Sequence, residues 1–363
     1  MPNIWQLEEP QRPLLLPYIR ALLPLPSYQG ATWLPDTLHG DVEYQYIIGA
    51  NEQPVMAHVM GWDAEAPIAG AQITGERVYG ELPPIKRKRR ISEKEIIRFM
   101  QPKTGSNDQQ EAVRGVLSSI ANLVASIQAR VEWLRMQALS EDKIIYDEAG
   151  VKIQFDYGIN DAYQINLVTQ QDGAGNSVAA DYGPDWVDRA NATPVTDLMH
   201  ICDKIGDETG SRPGTLLCSR KFAGYLVDNA SIKGWIYPTN APDRPLQAEE
   251  VQELFVRYDL PTVRTYDVTV KAEAADGSTT TVRPMRQNAA VLLPSSPVGK
   301  TLWGPTAESR ILIGTPYQQM ATGLWASTYG VDEPPGEWSK AVAVAFPTLP
   351  DAHLLGQMTL GAA

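Results

Sequence analysis

The sequence predicts a mixed α+β fold organised around one long helix. Apolar residues recur at spacings of three and four over residues 108–139, which indicates the helix. Residues 143–157 alternate between apolar and polar around a glycine-containing turn, which indicates a β-hairpin. Residues 194–319 then pass repeatedly between helical and strand patterns. Together these observations predict an α+β fold, in which helices and strands pack together around the core.

The composition is that of a folded, acidic protein. The chain has 363 residues, of which 43% are hydrophobic, and a formal net charge of −12. This size allows a substantial core, either in two domains or in one elongated two-lobed subunit. The negative charge disfavours general nucleic-acid binding, because tight binders neutralise phosphates with clustered cations.

Two features disfavour secretion and membrane insertion. Cys202 and Cys218 are the only cysteines, which is too few for a disulfide framework. The most apolar early stretch, residues 14–26, contains three prolines and an arginine and follows Glu8 and Glu9. It therefore predicts neither a signal peptide nor a membrane span. We expect the chain to be assembled in the cytoplasm in which it is made.

Residues 1–54 predict an extended arm. They are rich in proline, leucine and aromatic residues but show no sustained period apart from a short helical turn near residues 18–23. An arm with this much apolar surface is poorly stable in water unless it lies on another surface. A neighbouring subunit is the expected surface. The apolar residues expected to make these contacts are Trp5, Leu14, Trp33 and Leu34.

Residues 55–100 predict an extended β projection. Two β-compatible stretches, 71–82 and 85–91, are joined through a pair of prolines and are expected to form a two-stranded ribbon. Such a ribbon is marginal alone, so we expect a partner to support it. Nearby acids and the overall negative charge favour salt bridges between subunits, rather than a nucleic-acid contact, for its basic run. This run comprises Lys86, Arg87, Lys88, Arg89 and Arg90.

The long helix, which we call the spine helix, has one apolar stripe. At 1.5 Å per residue it would be about 50 Å long, which is enough to span a subunit. Gln128, Glu132 and Arg135 lie off the stripe. The stripe comprises Val113, Leu117, Ile120, Val124, Ile127, Val131, Leu134 and Ala138.

The remaining elements are predicted from local patterns. The stretch 169–192 is rich in turn residues and predicts a connecting loop. Near-continuous apolar content close to the end indicates a strand that is buried on both faces. The predicted helices cover residues 194–206, 220–228 and 247–258, and the predicted strands cover 215–218, 263–272, 279–283 and 340–346.

The order of these elements resembles the Hong Kong 97-type capsid fold of tailed phages and, more narrowly, the lambda-type major capsid protein E family. The resemblance lies in residues 66–70 entering the projection, 130–157 joining spine helix and hairpin, and 338–360 at the end. It implies an N-terminal arm over 1–54, an extended loop over 55–100, a peripheral domain over 101–193, an axial domain over 194–319 and a return to the peripheral domain over 320–363.

The resemblance implies a structural shell protein with no cofactor and no enzymatic activity. Its copies would form hexamers and pentamers of an icosahedral virion shell that encloses double-stranded DNA without sequence-specific contacts and without a membrane. No helical scaffolding segment precedes the arm in this sequence. The resemblance therefore implies a separate scaffolding protein, together with a portal and a decoration protein.

Two other functions stay open. A cellular nanocompartment shell of the same fold would load an enzyme cargo. A phage-encoded processing hydrolase would show a pocket of convergent ionisable groups with perturbed pKa values. His200 with Cys202 and Cys218 could suggest a metal site, but tetrahedral sites need four ligands with paired short spacings, so core packing is favoured.

Four acids on the helix predicted after residue 194 could suggest a carboxylate site. Their spacing spreads them around the helix instead of pairing them, so we expect them to be solvated. They are Asp197, Asp203, Asp207 and Glu208.

Overall fold

The computed structural model describes residues 27–48, 76–91, 108–148, 151–171, 177–239, 244–273, 277–311, 319–321, 323–332 and 335–360. The chain divides into two compact units. Unit 1 consists of residues 1–44, 79–135 and 300–348, and unit 2 consists of residues 45–78, 136–299 and 349–363. Both units mix helices with strands, as the sequence predicts. The assignment of peripheral and axial domains stays a prediction.

The helices, in chain order, are α1 (Gly30–Trp33), α2 (Asp108–Ser140), α3 (Pro194–Thr209), α4 (Arg220–Val227), α5 (Ala230–Ile236), α6 (Ala248–Arg257) and α7 (Ala307–Ile311). The strands are β1 (Asp36–Leu38), β2 (Glu43–Ile48), β3 (Glu76–Glu81), β4 (Pro84–Ile91), β5 (Lys143–Glu148), β6 (Val151–Asp156), β7 (Gln164–Asn166), β8 (Gln170–Gln171), β9 (Ser177–Val178), β10 (Thr215–Cys218), β11 (Thr262–Thr265), β12 (Val270–Glu273), β13 (Thr279–Val282), β14 (Ala289–Leu293), β15 (Lys300–Trp303), β16 (Gln319–Ala321), β17 (Leu324–Asp332), β18 (Pro335–Thr348) and β19 (Gly356–Thr359).

Unit 1 is built on a six-stranded sheet with β18 at its centre. The strand order is β1–β15–β18–β17–β16, and β4 also pairs with β18. All three neighbours of β18 run antiparallel to it, whereas β1 adds to β15 in parallel. Residues 341–349 are buried without interruption, which confirms the predicted strand at 340–346 and its burial on both faces.

The spine helix is confirmed as α2, one residue longer than predicted. Its stripe residues Ile120, Val124 and Ile127 are buried in one cluster with the small side chains of Ala341 and Ala343 on β18. Alanines at these sheet positions let a helix approach closely, so branched side chains of the helix fill the space. The side chains of the first two stripe residues lie outside the described part.

The expected two-stranded ribbon is corrected by the strand pairing. β3 pairs with β2, and β4 pairs with β18 over residues 337–344, so the two stretches do not form a hairpin with each other. Only Leu82 and Pro83 separate β3 from β4. The favoured two-residue hairpin turns need a positive φ either at both central positions, which the ring of Pro83 forbids, or at the first, which a non-glycine residue such as Leu82 rarely adopts. Each strand therefore pairs with a distant part of the chain.

Unit 2 has a five-stranded sheet in the order β11–β10–β14–β19–β7. The predicted strand at 215–218 is confirmed as β10, and all four of its residues are buried. The predicted strand at 263–272 is instead two strands, because β11 pairs with β10 whereas β12 pairs with β13 in a separate two-stranded sheet, and the buried Tyr266 lies between them. The hairpin at 143–157 is confirmed, with Glu148 opposite Val151.

Candidate functional site

A buried network of charged groups fastens the segment around residues 30–38 to the spine helix within unit 1. Glu132 is fully buried, and its carboxylate accepts a hydrogen bond of 2.9 Å from the backbone N–H of Gly30. Arg135 Nε donates to Thr301 Oγ1 at 2.8 Å, and the same guanidinium forms an ion pair with Asp36. Arg135 Nη1 lies 3.6 Å from Glu132 Oε2, so the buried carboxylate faces a positive charge on the same helix.

Two residues that the sequence assigns to contacts with a neighbouring subunit lie in the core beside this network. Trp33 and Leu34 were expected on a neighbouring subunit, but their side chains are only 3% and 0% exposed within the single chain. The Leu34 carbonyl accepts a hydrogen bond of 2.9 Å from Thr301 Oγ1, which holds this segment against β15. The assignment of these two residues to a neighbour is therefore wrong. Trp5 and Leu14 lie outside the described residues.

The basic run forms most of strand β4 and is exposed along its length. Ile85, which precedes the run, packs on the core cluster beneath the sheet. The five cations that follow are all exposed: Lys86, Arg87, Lys88, Arg89 and Arg90. The strand pairs with β18 along its whole length, and Ile85 anchors its first residues to the core. It therefore presents positive charge at the surface of a chain whose net charge is −12.

The two cysteines are core residues. Cys202 on α3 and Cys218 on β10 belong to the hydrophobic cluster of unit 2. Burial raises the pKa of each thiol to about 12, which leaves almost no reactive thiolate at neutral pH. His200 is exposed on the same helix. Core packing is confirmed for the two cysteines and is wrong for His200. Among the described residues, no group of three or more His, Cys, Asp or Glu side chains could hold a metal ion.

The expectation that the acids of α3 are solvated is wrong for Asp197. Its carboxylate is buried and accepts hydrogen bonds from Trp186 Nε1 at 2.8 Å and from Thr193 Oγ1 at 3.1 Å. Burial raises the pKa of Asp197 despite these donors. The remaining three, Asp203, Asp207 and Glu208, are exposed as expected.

A further acid organises the start of α6. Glu250 accepts hydrogen bonds from Arg244, from the Tyr237 hydroxyl at 2.6 Å and from the backbone N–H of Gln247 at 2.7 Å. The Arg244 guanidinium, followed by the other two donors, lowers the pKa of Glu250 to about 2. This capping box fixes the entry into the helix.

The buried acids and thiols are occupied by structural contacts, and the exposed basic strand is the most pronounced charge feature of the described surface. In the parts of the chain that the structure describes, no helix is long and apolar enough to cross a membrane. The described residues therefore combine an exposed basic strand, β4, with buried ionisable groups whose contacts stabilise the fold.

Comparison with solved structures defines the fold. The chain is similar to a protein described as a capsid protein of a prophage of E. coli CFT073, with a TM-score of 0.58 and 14% identity over 94% of this chain and 96% of that one. It is also similar to a phage-related protein of Bordetella bronchiseptica RB50, with a TM-score of 0.54 and 12% identity over 96% of each chain. The fold is that of the Hong Kong 97-type phage capsids.

The family follows from the sequence match. The profile of the family described as phage major capsid protein E matches residues 15–355. The chain therefore belongs to this family, and it is a major capsid protein whose copies build the shell of a virion. No curated protein matches the chain at a significant level.

Proposed function

We propose that copies of this chain form hexamers and pentamers that close into an icosahedral shell around double-stranded DNA. The family match over residues 15–355 carries the proposal. Scaffolding, portal and decoration proteins act with it as separate partners, and assembly takes place in the host cytoplasm. The chain acts as a structural subunit without enzymatic activity, which agrees with buried acids and thiols that serve the fold.

Two parts of the chain make the contacts between subunits in this proposal. Trp5 and Leu14 supply apolar surface from the arm, and the cations of β4 supply positive charge. Support for the second comes from the exposure of all five cations on a strand of a net acidic chain. Single exposed ion pairs contribute only about 0–1 kcal/mol each, but a shell repeats them in every subunit.

The inner surface of the shell is neutral or acidic in this proposal. A container that is filled and emptied by a motor gains nothing from binding its DNA tightly, because each phosphate contact adds salt-dependent affinity. The net charge of −12 supports this view. A shell structure with a continuous lysine and arginine lining on its inner face would contradict it.

Negative-stain microscopy of the purified full-length chain tests the assembly. We expect closed particles of uniform diameter, formed alone or when a scaffolding protein is co-expressed. A population of single subunits under both conditions would overturn the proposal. Particles that enclose a co-purified enzyme and no DNA in infected cells would favour the nanocompartment instead.

The arm is tested separately with a deletion of residues 1–26, which leaves the segment around residues 30–38 intact. We expect a soluble, folded subunit that fails to assemble, because the deletion removes the apolar contacts that the arm makes with a neighbouring subunit. A full-length variant with Trp5→Ala and Leu14→Ala is the matched test of the apolar contacts. Normal particles from both variants would exclude the arm from the assembly contacts.

A further inference from the structure

The strands β4, β18 and β17 lie side by side and bring cations and aromatic rings onto one face. Arg90 on β4 is directly opposite Trp338 on β18, and Trp338 is directly opposite Tyr329 on β17. Residues directly opposite each other in antiparallel strands share a face of the sheet. These three side chains therefore form a row across the sheet.

The next positions along β4 extend this row. Lys88 Nζ lies 4.7 Å from the centroid of the Trp338 ring, which places it on the same face. Because side chains alternate along a strand, Lys86 also lies on this face, while Arg87 and Arg89 lie on the opposite one. We call the first set the cation–aromatic face, and it comprises Lys86, Lys88, Arg90, Tyr329 and Trp338.

The cation–aromatic face is built at a cost to the sheet. Lys88 is directly opposite Lys340, and like charges at directly opposite positions destabilise a strand pair. Lys340 is compensated by an ion pair with Glu308. Lys88 has the Trp338 ring, an uncharged surface that orients the ammonium group but leaves its charge in place. A sheet that keeps such a conflict at an exposed position indicates a function for the cation outside the fold.

The side chains of this face are suited to binding a protein segment. Tyr329 is 40% exposed although it is a large aromatic residue. Exposed Tyr, Trp and Arg side chains supply much of the binding energy at protein interfaces, because they combine apolar area with hydrogen-bond donors. Lys340 shares this face but is paired with Glu308. The three cations of β4 beside two aromatic rings match a segment that carries carboxylates and some apolar surface. In a chain of net charge −12 that assembles with itself, such segments are abundant on every other copy.

We propose that the cation–aromatic face is a docking surface for an acidic segment of a second copy of this chain. The inference rests on the proposed shell assembly and identifies which side of the basic strand makes the contact. Of the five cations proposed above for contacts between subunits, Arg87 and Arg89 lie on the opposite side, and this inference assigns them the smaller part in assembly. DNA is the other polyanion in a virion, and it is treated as an outcome of the test.

Charge reversal on the two sides of one strand provides the first test. Lys88→Glu with Arg90→Glu alters the cation–aromatic face, and Arg87→Glu with Arg89→Glu is the matched control with the same change of charge. Assembly of the full-length chain is followed by light scattering in the absence of DNA. We expect the first variant to raise the concentration at which shells form by about fivefold or more, since loss of one ion pair of about 1 kcal/mol gives that factor. We expect a smaller change from the control.

Cross-linking identifies the occupant. Shells assembled from a mixture of isotopically light and heavy subunits are treated with a carbodiimide, which joins lysine amines to carboxylates in direct contact. We expect mass spectrometry to find Lys86 or Lys88 joined to Asp or Glu of the other isotope. A Lys88→Arg variant keeps the charge and the ring contact, and it should assemble normally while losing its own cross-link.

The outcomes separate this inference from the proposed assembly. If the natural chain forms no shells, the assembly proposal fails and the docking surface fails with it. If the natural chain forms shells but the two reversal variants assemble equally well or equally badly, only the docking surface is overturned. Cross-links confined to single subunits would also overturn it, as would an effect of the reversals only on DNA retention in filled particles.

Discussion

Removing the Arg135 guanidinium should release the segment around residues 30–38 from the spine helix. Arg135→Met keeps the apolar stem but removes the bond to Thr301 and the positive charge that faces Glu132. Because Glu132 is 0% exposed, its carboxylate would stay buried without the opposite charge of Arg135. Breaking a buried pair in this way costs about 3–5 kcal/mol. The pair with Asp36 adds little to this, since that side chain is 42% exposed and screened by water.

Hydrogen exchange of the backbone measures this release directly. The Gly30 amide donates to Glu132, so its protection reports on the network. A loss of about 3 kcal/mol should speed the exchange of residues 30–38 by about a hundredfold. Arg130→Met on the same helix is the control, because Arg130 is only half-buried and stacks on Trp133 at 5.2 Å. Unchanged exchange in Arg135→Met would refute the argument.

A second substitution tests whether the penalty comes from the stranded carboxylate. Adding Glu132→Gln to Arg135→Met removes the buried charge while keeping an oxygen that can accept from the Gly30 amide. We expect the double variant to recover part of the lost protection, because replacing both members of a buried pair costs less than removing one. A double variant that exchanges faster than the single one would show that the hydrogen-bond geometry of Glu132, rather than its charge, holds the segment.

Three further predictions concern unit 2. Asp197→Ala leaves the buried Trp186 indole N–H without its acceptor, so urea unfolding of the unassembled chain should show a loss of about 1–3 kcal/mol, and an unchanged midpoint would contradict the contact. Glu250 has a lowered pKa, so its contribution to stability is present above its ordinary pKa of 4.5 and is lost as the pH falls through about 2. Glu250→Gln should therefore lower the melting temperature at about pH 6 but not near pH 2, and an equal loss at both would show that charge is not involved. Cys202 and Cys218 should resist a thiol reagent at about pH 8 until the chain unfolds, because burial raises the pKa of both thiols, and rapid labelling of the folded chain would contradict their burial.

Local periodicity predicted the elements whose partners lie nearby in sequence. The spine helix and the hairpin at 143–157 agree with the structure to within one residue at their ends. Both depend on spacings of two to four residues that the sequence displays directly. The strand at 215–218 is predicted as well, because the short apolar run at residues 216–218 follows Pro213 and Gly214, and the structure buries all four strand residues.

Local periodicity does not predict contacts between residues that are far apart in sequence. Glu132 and Arg135 lie off the apolar stripe with a spacing typical of a surface ion pair, and only their distant partners Gly30 and Thr301 make them core residues. The solvent exposure predicted for Asp197 is wrong for the same reason, because its donor Trp186 comes from a loop that shows no periodicity. The pairing of β4 with β18 has no local signature, although Leu82 and Pro83 together disfavour a tight hairpin between β3 and β4.

The circular path of unit 1 sets the order of events during synthesis. Thr301 bonds to the carbonyl of Leu34, 267 residues earlier in the chain, and β18 is needed to pair with β4. Unit 1 therefore cannot close until β18, which ends at Thr348, has been synthesised. Contacts between residues this far apart in sequence also form slowly. Until β18 is available, the backbone groups of β4 that bond to it in the folded chain lack that strand as a partner. Five adjacent cations repel the same strand of other nascent chains, which keeps that edge from aggregating before its own partner arrives.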